Sequence, residues 1–341
     1  MKMVQLMAGE SHGGAEAFFS RLVPALHAEG VAQTAIIRDD SKRAESLQKA
    51  GIKTYQLAYG GMLDLLTPWR IKTMVGLNKP DIVMSWMNRA SRMMPAGQWQ
   101  CVGRLGGYYN LKYYKNCEYL ICNTADICDY VIKQGWPTKN THVISNFVNE
   151  KHAEPVQRSG FDTPASASLI FTAGRLHENK GFDVLIKAVA RLDNVYLWVA
   201  GEGPLNDDLH KLVVDLDLGA RVRFLGWRDD INALMSSADL FVCPSRHEPL
   251  GNIVLEAWAQ KIPIIATMAQ GPKQLINEGE NGLLVPIDDY SLLAEKIRIL
   301  IDNKKLREDL IDNANRKYQE GFSQKIIVGE YKRYFNFILN K

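Results

Sequence analysis

Short apolar runs, each ending in glycine, asparagine or a polar turn, recur along this chain of 341 residues. In the first half they fall at 4–8, 34–38, 53–57, 82–86, 119–122 and 142–145, separated by stretches of helical spacing near 14–29, 42–50, 69–78 and 124–134. The second half repeats the alternation, with runs at 169–173, 195–200, 222–225, 240–243, 262–266 and 283–285. Its helices fall near 180–191, 205–216, 229–237, 252–260 and 290–301. Continuous apolar runs are strands buried on both faces, and strands alternating with helices build parallel sheets. Between the two series, residues 149–167 are polar, contain Pro155 and Pro164 and lack periodicity, so they read as a linker. The pattern predicts an α/β protein of two doubly wound domains, 1–148 and 168–322. Ligands are expected where strand C-termini face the cleft between them.

Composition narrows the class. A hydrophobic fraction of 46% with 23% charged residues is that of a globular protein. The net charge of +3 is unevenly spread: residues 51–115 carry nine Lys and Arg against two Asp and Glu. Such a bias suits an anionic ligand or a negatively charged membrane surface, and equally a basic surface that only serves solubility. Five cysteines, an odd number without a Cys-x-x-Cys pair, fit a reduced cytoplasmic setting. The chain opens on a short apolar strand followed at once by glycines, which is not a secretion signal. No run approaches the roughly 18 apolar residues of a spanning helix. Any membrane contact is therefore expected to be peripheral. The seven histidines are scattered and form no zinc pattern.

The densest chemistry lies in Ser245-Arg246-His247-Glu248-Pro249-Leu250-Gly251-Asn252, which leads into a helix carrying Glu256. Pro249 keeps Glu248 out of a helix, so Glu248 belongs to a loop and Glu256 lies just over one turn into the helix that follows. Apolar neighbours leave Glu256 almost no solvent face, and a carboxylate so placed needs either a structural cation or a ligand.

Both halves open with a glycine turn after their first strand. Gly9-Glu10-Ser11-His12-Gly13-Gly14 precedes one helix, where glycines permit close backbone approach and the helix start favours an anion. It is not G-x-G-x-x-G, so a nicotinamide cofactor has little support. Gly174-Arg175-Leu176-His177-Glu178-Asn179-Lys180-Gly181 places a guanidinium fork and a mobile ammonium five residues apart. That pair suits a diphosphate, and also suits plain surface charge. Gly201-Glu202-Gly203-Pro204 is a third tight turn toward the same edge.

Taken in order, Gly13-Gly14, Gly174-Arg175, Lys180-Gly181, Gly201-Glu202-Gly203-Pro204, Phe224-Leu225-Gly226, Pro244-Ser245, Glu248-Pro249-Leu250-Gly251-Asn252 and Glu256-Ala257 resemble one family over nearly the whole chain. It is family 4 of the retaining nucleotide-sugar glycosyltransferases. The resemblance implies a GT-B fold of two Rossmann-like domains, with a C-terminal helix, about 323–341, packed back on the first. It implies a donor domain at 168–322 and an acceptor domain at 1–148. Arg175 and Lys180 would bind the diphosphate of a UDP- or GDP-sugar, Lys180 also assisting its departure, and Glu248 would contact the transferred hexose. These three are the expected catalytic group. The backbone amides of Leu250, Gly251 and Asn252 would hold phosphate, Glu256 would bind the ribose, and Leu225 would border the base. Gly174 and Gly201 would shape the pocket, and Gly13 and Gly14 would close over the diphosphate.

Many relatives have a first-domain His near the sugar. This chain instead reads Val102-Gly103-Arg104-Leu105-Gly106-Gly107-Tyr108-Tyr109, so Arg104, Tyr108 and Tyr109 are the acceptor candidates. No protein nucleophile, cofactor or metal is implied. Asp215-Leu216-Asp217 matches the metal-binding Asp-x-Asp literally but falls at an amphipathic helix end, where solvated charge is expected. The similarity points to a bacterial enzyme of lipopolysaccharide core or related surface glycans, acting on a glycan or glycolipid in the cytoplasm, with no nucleic acid partner. The apolar and basic stretch 61–72 is a candidate for contact with the inner leaflet, or a packed helix. A nucleotide-sugar epimerase or hydrolase, or a silent nucleotide-sugar-binding protein, are the competing readings.

Overall fold

A seven-stranded sheet and a six-stranded sheet, both wholly parallel, carry the two halves of the chain. The computed structural model describes residues 1–10, 13–60, 64 and 66–341. They divide into Met1–Phe147 with Gln324–Lys341, and Val148–Ser323.

The first unit contains β1 (Lys2–Met7), α1 (Gly14–Ala28), β2 (Ala32–Arg38), α2 (Ser41–Lys49), β3 (Lys53–Leu57), α3 (Leu66–Asn78), β4 (Ile82–Trp86), α4 (Met87–Arg92), β5 (Gln100–Leu105), β6 (Tyr119–Cys122), α5 (Ala125–Lys133) and β7 (Thr141–Val143). The second contains β8 (Ser168–Ala173), α6 (Phe182–Val189), β9 (Val195–Ala200), α7 (Asn206–Asp215), β10 (Val222–Gly226), α8 (Ile231–Ser236), β11 (Leu240–Cys243), α9 (Asn252–Ala259), β12 (Ile264–Thr267), α10 (Gln270–Leu275), β13 (Leu283–Val285), α11 (Tyr290–Asp302) and α12 (Lys304–Gly321). The last helix, α13 (Gln324–Leu339), belongs to the first unit and packs on α1.

Strand order is β3-β2-β1-β4-β5-β6-β7 in one sheet and β10-β9-β8-β11-β12-β13 in the other. The order reverses between β1 and β4, and again between β8 and β11. At such a reversal the loops leaving neighbouring strands diverge to opposite faces and open a crevice for ligands. Helix starts are fixed by side chains: Asp40, Thr124, Asp289 and Asn303 each accept the backbone N–H three residues on.

At the first reversal a buried polar chain ties strands to helix. Trp86 Nε1 donates to Gln5 Oε1 at 3.0 Å, Gln5 Nε2 to Gln33 Oε1 at 2.9 Å, and Gln33 Nε2 to the Val23 carbonyl at 2.6 Å. A complete chain of this kind satisfies every buried group it uses.

β5 and α4 are absent from the sequence pattern. β5 carries Gly103 and Arg104 in its middle, which interrupts the apolar run. A Cβ on Gly103 would lie 2.7 Å from Tyr114 Cδ1 and 2.8 Å from Leu120 Cδ2, so the glycine makes room for those side chains. The stretch 149–167 is not a free linker. It counts with the second unit, where Arg158 donates to the carbonyls of Ser237 and Ala167 and pairs with Asp239. The chain ends in two helices, α12 and α13, which meet at Phe322-Ser323.

Candidate active site

The second reversal places two loops side by side. From β8 the chain runs through Gly174 to Lys180, and from β11 it runs through Pro244 to the start of α9. Backbone bonds join them: the amides of Arg246 and His247 both donate to the Asn179 carbonyl, at 2.8 and 3.1 Å. Gly181 takes a left-handed φ of 63°, and a Cβ there would collide with the Pro244 carbonyl oxygen. Only glycine permits this approach. Arg246 locks the pair from outside with a two-point bond to Asp183, 2.9 Å on each arm, and a 2.6 Å bond to Asp288.

Within this frame the Lys180 ammonium donates to Glu248 Oε2 at 2.5 Å. Burial pulls the Lys180 pKa down, but the Glu248 carboxylate, with Glu256 adding to it, outweighs this and holds the ammonium above its ordinary value. Cys243 lies behind the pair, and burial pushes its thiol up to about 11, so it is a neutral wall. Arg175 is exposed and, among the described residues, has no ion-pair partner.

Gly251 caps α9 in the left-handed conformation, φ 67°, and no side chain caps that helix start. The helix therefore presents its first amides and the positive end of its dipole beside Glu248. Sequence reasoning missed what anchors this loop. Gly271 at the start of α10 donates its N–H to the Glu248 carbonyl at 2.7 Å, and a Cβ on it would crowd Gly251 N and Leu250 C, both 2.5 Å away. Gln270-Gly271-Pro272 carries no apolar spacing, which is why α10 is invisible in the pattern.

Glu256 is half-buried rather than enclosed. The expectation of an almost fully buried carboxylate fails because α9 buries Val254, Leu255, Ala257 and Trp258 while Glu256 lies at the rim of that face. Next along the sheet edge, the Gly201 amide donates to the Gly226 carbonyl at 2.7 Å, and the Gly174 amide to Ala200 at 2.9 Å. A Cβ on Gly201 would strike the Gly174 carbonyl oxygen. These contacts bring together Gly174, Gly201 and the Leu225-Gly226 turn, with Trp227 half exposed beside Glu202. Asp215 and Asp217 lie exposed at the C-terminal end of α7.

In the first unit, the turn before α1 already contains an anion. Glu16 is 5% exposed, accepts the Glu10 amide at 3.1 Å, and fills the space that a Cβ on Gly9 or Gly13 would need. Ser11 and His12 of this turn, and Gly61, Met62, Leu63 and Leu65 of the apolar and basic stretch, lie outside the described residues.

Arg104 does not line an open site. It is 2% exposed, donates to Tyr331 Oη at 2.8 Å and to Asn146 Oδ1, and its guanidinium lies over the rings of Phe18 at 4.5 Å and Trp86 at 4.9 Å. Its partners are what make a charge tolerable there, and they join β5 to α1 and α13. Tyr108 is half exposed and packs edge-on against Tyr130, whose hydroxyl donates to the Tyr109 carbonyl at 3.0 Å. Tyr109 is partly buried over Tyr114.

Sequence reasoning also missed Asn123, just past β6. It is 3% exposed, and neither atom of its amide finds a partner among the described residues. A Cβ on Gly106 would lie 3.5 Å from that amide nitrogen. An amide so unsatisfied costs about 1–3 kcal/mol unless a ligand or water meets it.

The family profile described as "Glycosyl transferases group 1" matches residues 155–317. The chain is 40% identical over 335 residues to the lipopolysaccharide core biosynthesis glycosyltransferase LpsE of Rhizobium meliloti (strain 1021), covering 97% of this chain and 98% of that protein. It is 38% identical over 340 residues to LpsD of the same organism, covering 98% of each. Among solved structures, Anabaena HepE in complex with UDP superimposes with a TM-score of 0.86 at 21% identity, covering 98% of this chain and 100% of that one.

Proposed function

The chain belongs to the group 1 glycosyltransferases and has their GT-B architecture, and on that premise we propose that it moves a hexose from a UDP- or GDP-sugar to a hydroxyl of a lipopolysaccharide core or related surface glycan, with retention and without a metal. The observation that carries this reading is the Lys180–Glu248 pair beside the uncapped start of α9 at a strand-order reversal. Cations, backbone amides at a helix start and carboxylates converge there, which is the set of groups a nucleotide sugar needs.

In this reading Lys180, Arg175 and the amides of Leu250, Gly251 and Asn252 hold the diphosphate and stabilise its growing negative charge as the glycosidic bond breaks. Glu248 orients the sugar through its hydroxyls, and Glu256 takes the ribose. Leu225 borders the base, while Gly174 and Gly201 keep the wall low enough for the ligand to approach. Gly13 and Gly14 are proposed to leave room for a phosphate oxygen, although Glu16 already fills part of their turn. The acceptor hydroxyl loses its proton to the departing phosphate oxygen on the same face, so no protein base is needed and the anomeric configuration is kept. Tyr108 and Tyr109 offer aromatic faces to the acceptor. Arg104 acts from within the first unit by positioning β5, rather than by touching sugar. Leu66 and Trp69, both exposed on α3 beside Arg70 and Lys72, give a surface for peripheral contact with anionic lipid.

Label transfer from radioactive nucleotide sugars to a truncated lipopolysaccharide tests the reading. Product that forms only with acceptor supports it. Nucleotide release indifferent to acceptor would make the chain a hydrolase or epimerase.

A further inference from the structure

At the C-terminal edge of β2, β3 and β4 the first unit contains a cavity of about 490 Å³. Arg38, Tyr59, Asn88, Arg89, Arg92 and Tyr113 line it. We propose that this cavity is an anion site that takes a phosphate or carboxylate carried by the acceptor saccharide. The proposal deepens the transferase reading above and rests on it.

Three guanidinium groups facing one recess repel one another, and the arrangement is relieved when an anion enters. The chain supplies a provisional one. Glu10 pairs with Arg38 at 2.5 Å and reaches Arg89 at 4.0 Å, yet its side chain is 70% exposed, so an incoming anion can displace it at little cost. Arg43 holds Glu10 in place by donating to its carbonyl at 2.8 Å, which leaves the carboxylate free to swing.

Two features beyond charge mark the recess as built. Asn88 lines the recess and its buried Oδ1 has no partner among the described residues, so a small turn of the side chain would offer an unmet acceptor to a ligand hydroxyl. Tyr59, which lines the cavity, and Met87, the residue before Asn88, have left-handed φ angles of 44° and 63°, which residues other than glycine adopt at a cost of about 1–3 kcal/mol. Strain of this size is retained where it positions something; the turn at Met87 carries Asn88 and Arg89, and the turn at Tyr59 follows β3 at the same recess. An anion bound by arginines with a hydroxyl donor beside it describes a charged sugar. A lipid surface would need a convex, apolar face, and the exposed Leu66 and Trp69 of α3 do not line this cavity.

Calorimetric titration of the core oligosaccharide released from a truncated lipopolysaccharide tests this, with UDP or GDP at saturation so that the Lys180 loop is filled. Removing the phosphates of the oligosaccharide and reducing its carboxylates should weaken binding to the native chain about tenfold or more, as expected when charge-assisted hydrogen bonds are lost. The Arg38→Ala, Arg89→Ala double variant should bind both forms equally, with nucleotide affinity and thermal unfolding unchanged. Glu10→Gln should tighten binding of the charged form. Equal affinity of the native chain for both forms, or a double variant that keeps the discrimination, overturns the proposal. So does a double variant that loses only its binding to vesicles of phosphatidylglycerol and phosphatidylethanolamine, which would make the recess a headgroup site. Charge-dependent binding through the arginines with no sugar transfer leaves this site standing and removes the transferase reading. Transfer indifferent to Arg38 and Arg89 does the reverse.

Discussion

Lys180 and Glu248 are each other's partner across two loops: the ammonium donates to the carboxylate at 2.5 Å, with 28% and 13% of their side chains exposed. The residue proposed to hold the diphosphate and the residue proposed to read the sugar are therefore set by one interaction before a donor arrives. Lys180→Met should lower kcat about a hundredfold or more, the size seen when a group stabilising transition-state charge is lost. It should cost only about 1–2 kcal/mol of stability, since the pair is partly solvated. Steady-state rates with urea unfolding of the same preparation check both, and a normal rate would remove Lys180 from the chemistry.

The same pair makes a pH prediction. Burial lowers the Lys180 pKa but Glu248 raises it further, so the folded value lies above the ordinary 10.5. A raised lysine contributes stability that is fully present below its unfolded pKa and is lost as pH rises through the folded one. The difference in melting temperature between the native chain and Lys180→Met should be constant from about pH 6 to about pH 9 and shrink only above the ordinary lysine range. A loss that began near neutrality would show the ammonium to be depressed instead.

Gly181 and Gly201 are two positions where the site depends on a missing side chain, each facing a carbonyl oxygen at a distance no Cβ tolerates and each at positive φ. Gly181→Ala and Gly201→Ala should each destabilise by more than about 2 kcal/mol. Gly219→Ala, with nothing within 4 Å, should be neutral or slightly stabilising. Chemical denaturation of the three variants decides.

Arg104→Met removes one end of a buried set that includes Tyr331 and Asn146. A loss of about 3–5 kcal/mol is expected, because polar partners lose their donor inside the first unit. At a temperature where the variant is folded, its KM for acceptor should match that of the native chain. A large KM change without a stability change would return Arg104 to the acceptor.

Charge on the diphosphate is balanced in this account by Lys180, Arg175 and the α9 amides. Transfer should therefore persist in excess EDTA, and restoration by magnesium or manganese after a loss would show that a cation shares the task.

How much of this could be read from the chain alone depended on what each residue does. The strands β9 and β11 are uninterrupted apolar runs and β8 is apolar but for Ser168 and Thr172, and the turns after β8 and β11 announce themselves by glycine, proline and charge; these were legible. β5 was not, because its interior holds a glycine that makes room for Tyr114 and an arginine hydrogen-bonded to residues 42 and 227 positions away. Long-range compensation leaves no local signal. The same reason hid Gly271, whose N–H donates to the Glu248 carbonyl, and it made Arg104 look like a ligand group when it is a buried tie. Glu256 was placed on the right helix but too deep, since counting apolar neighbours along a helix does not say which edge of the face a residue occupies. The arginines of the Arg38 recess come from two strand ends, Arg38 from β2 and Arg89 and Arg92 from α4 after β4, and only strand order brings them to one recess.

The most direct test of the central claim is a crystal structure of the chain soaked with UDP or GDP. The expected result is a diphosphate within hydrogen-bonding reach of Lys180, Arg175 and the amides of Gly251 and Asn252, with Glu256 on the ribose. A diphosphate bound elsewhere, in the Arg38 recess for instance, with the Lys180–Glu248 pair undisturbed, would contradict it.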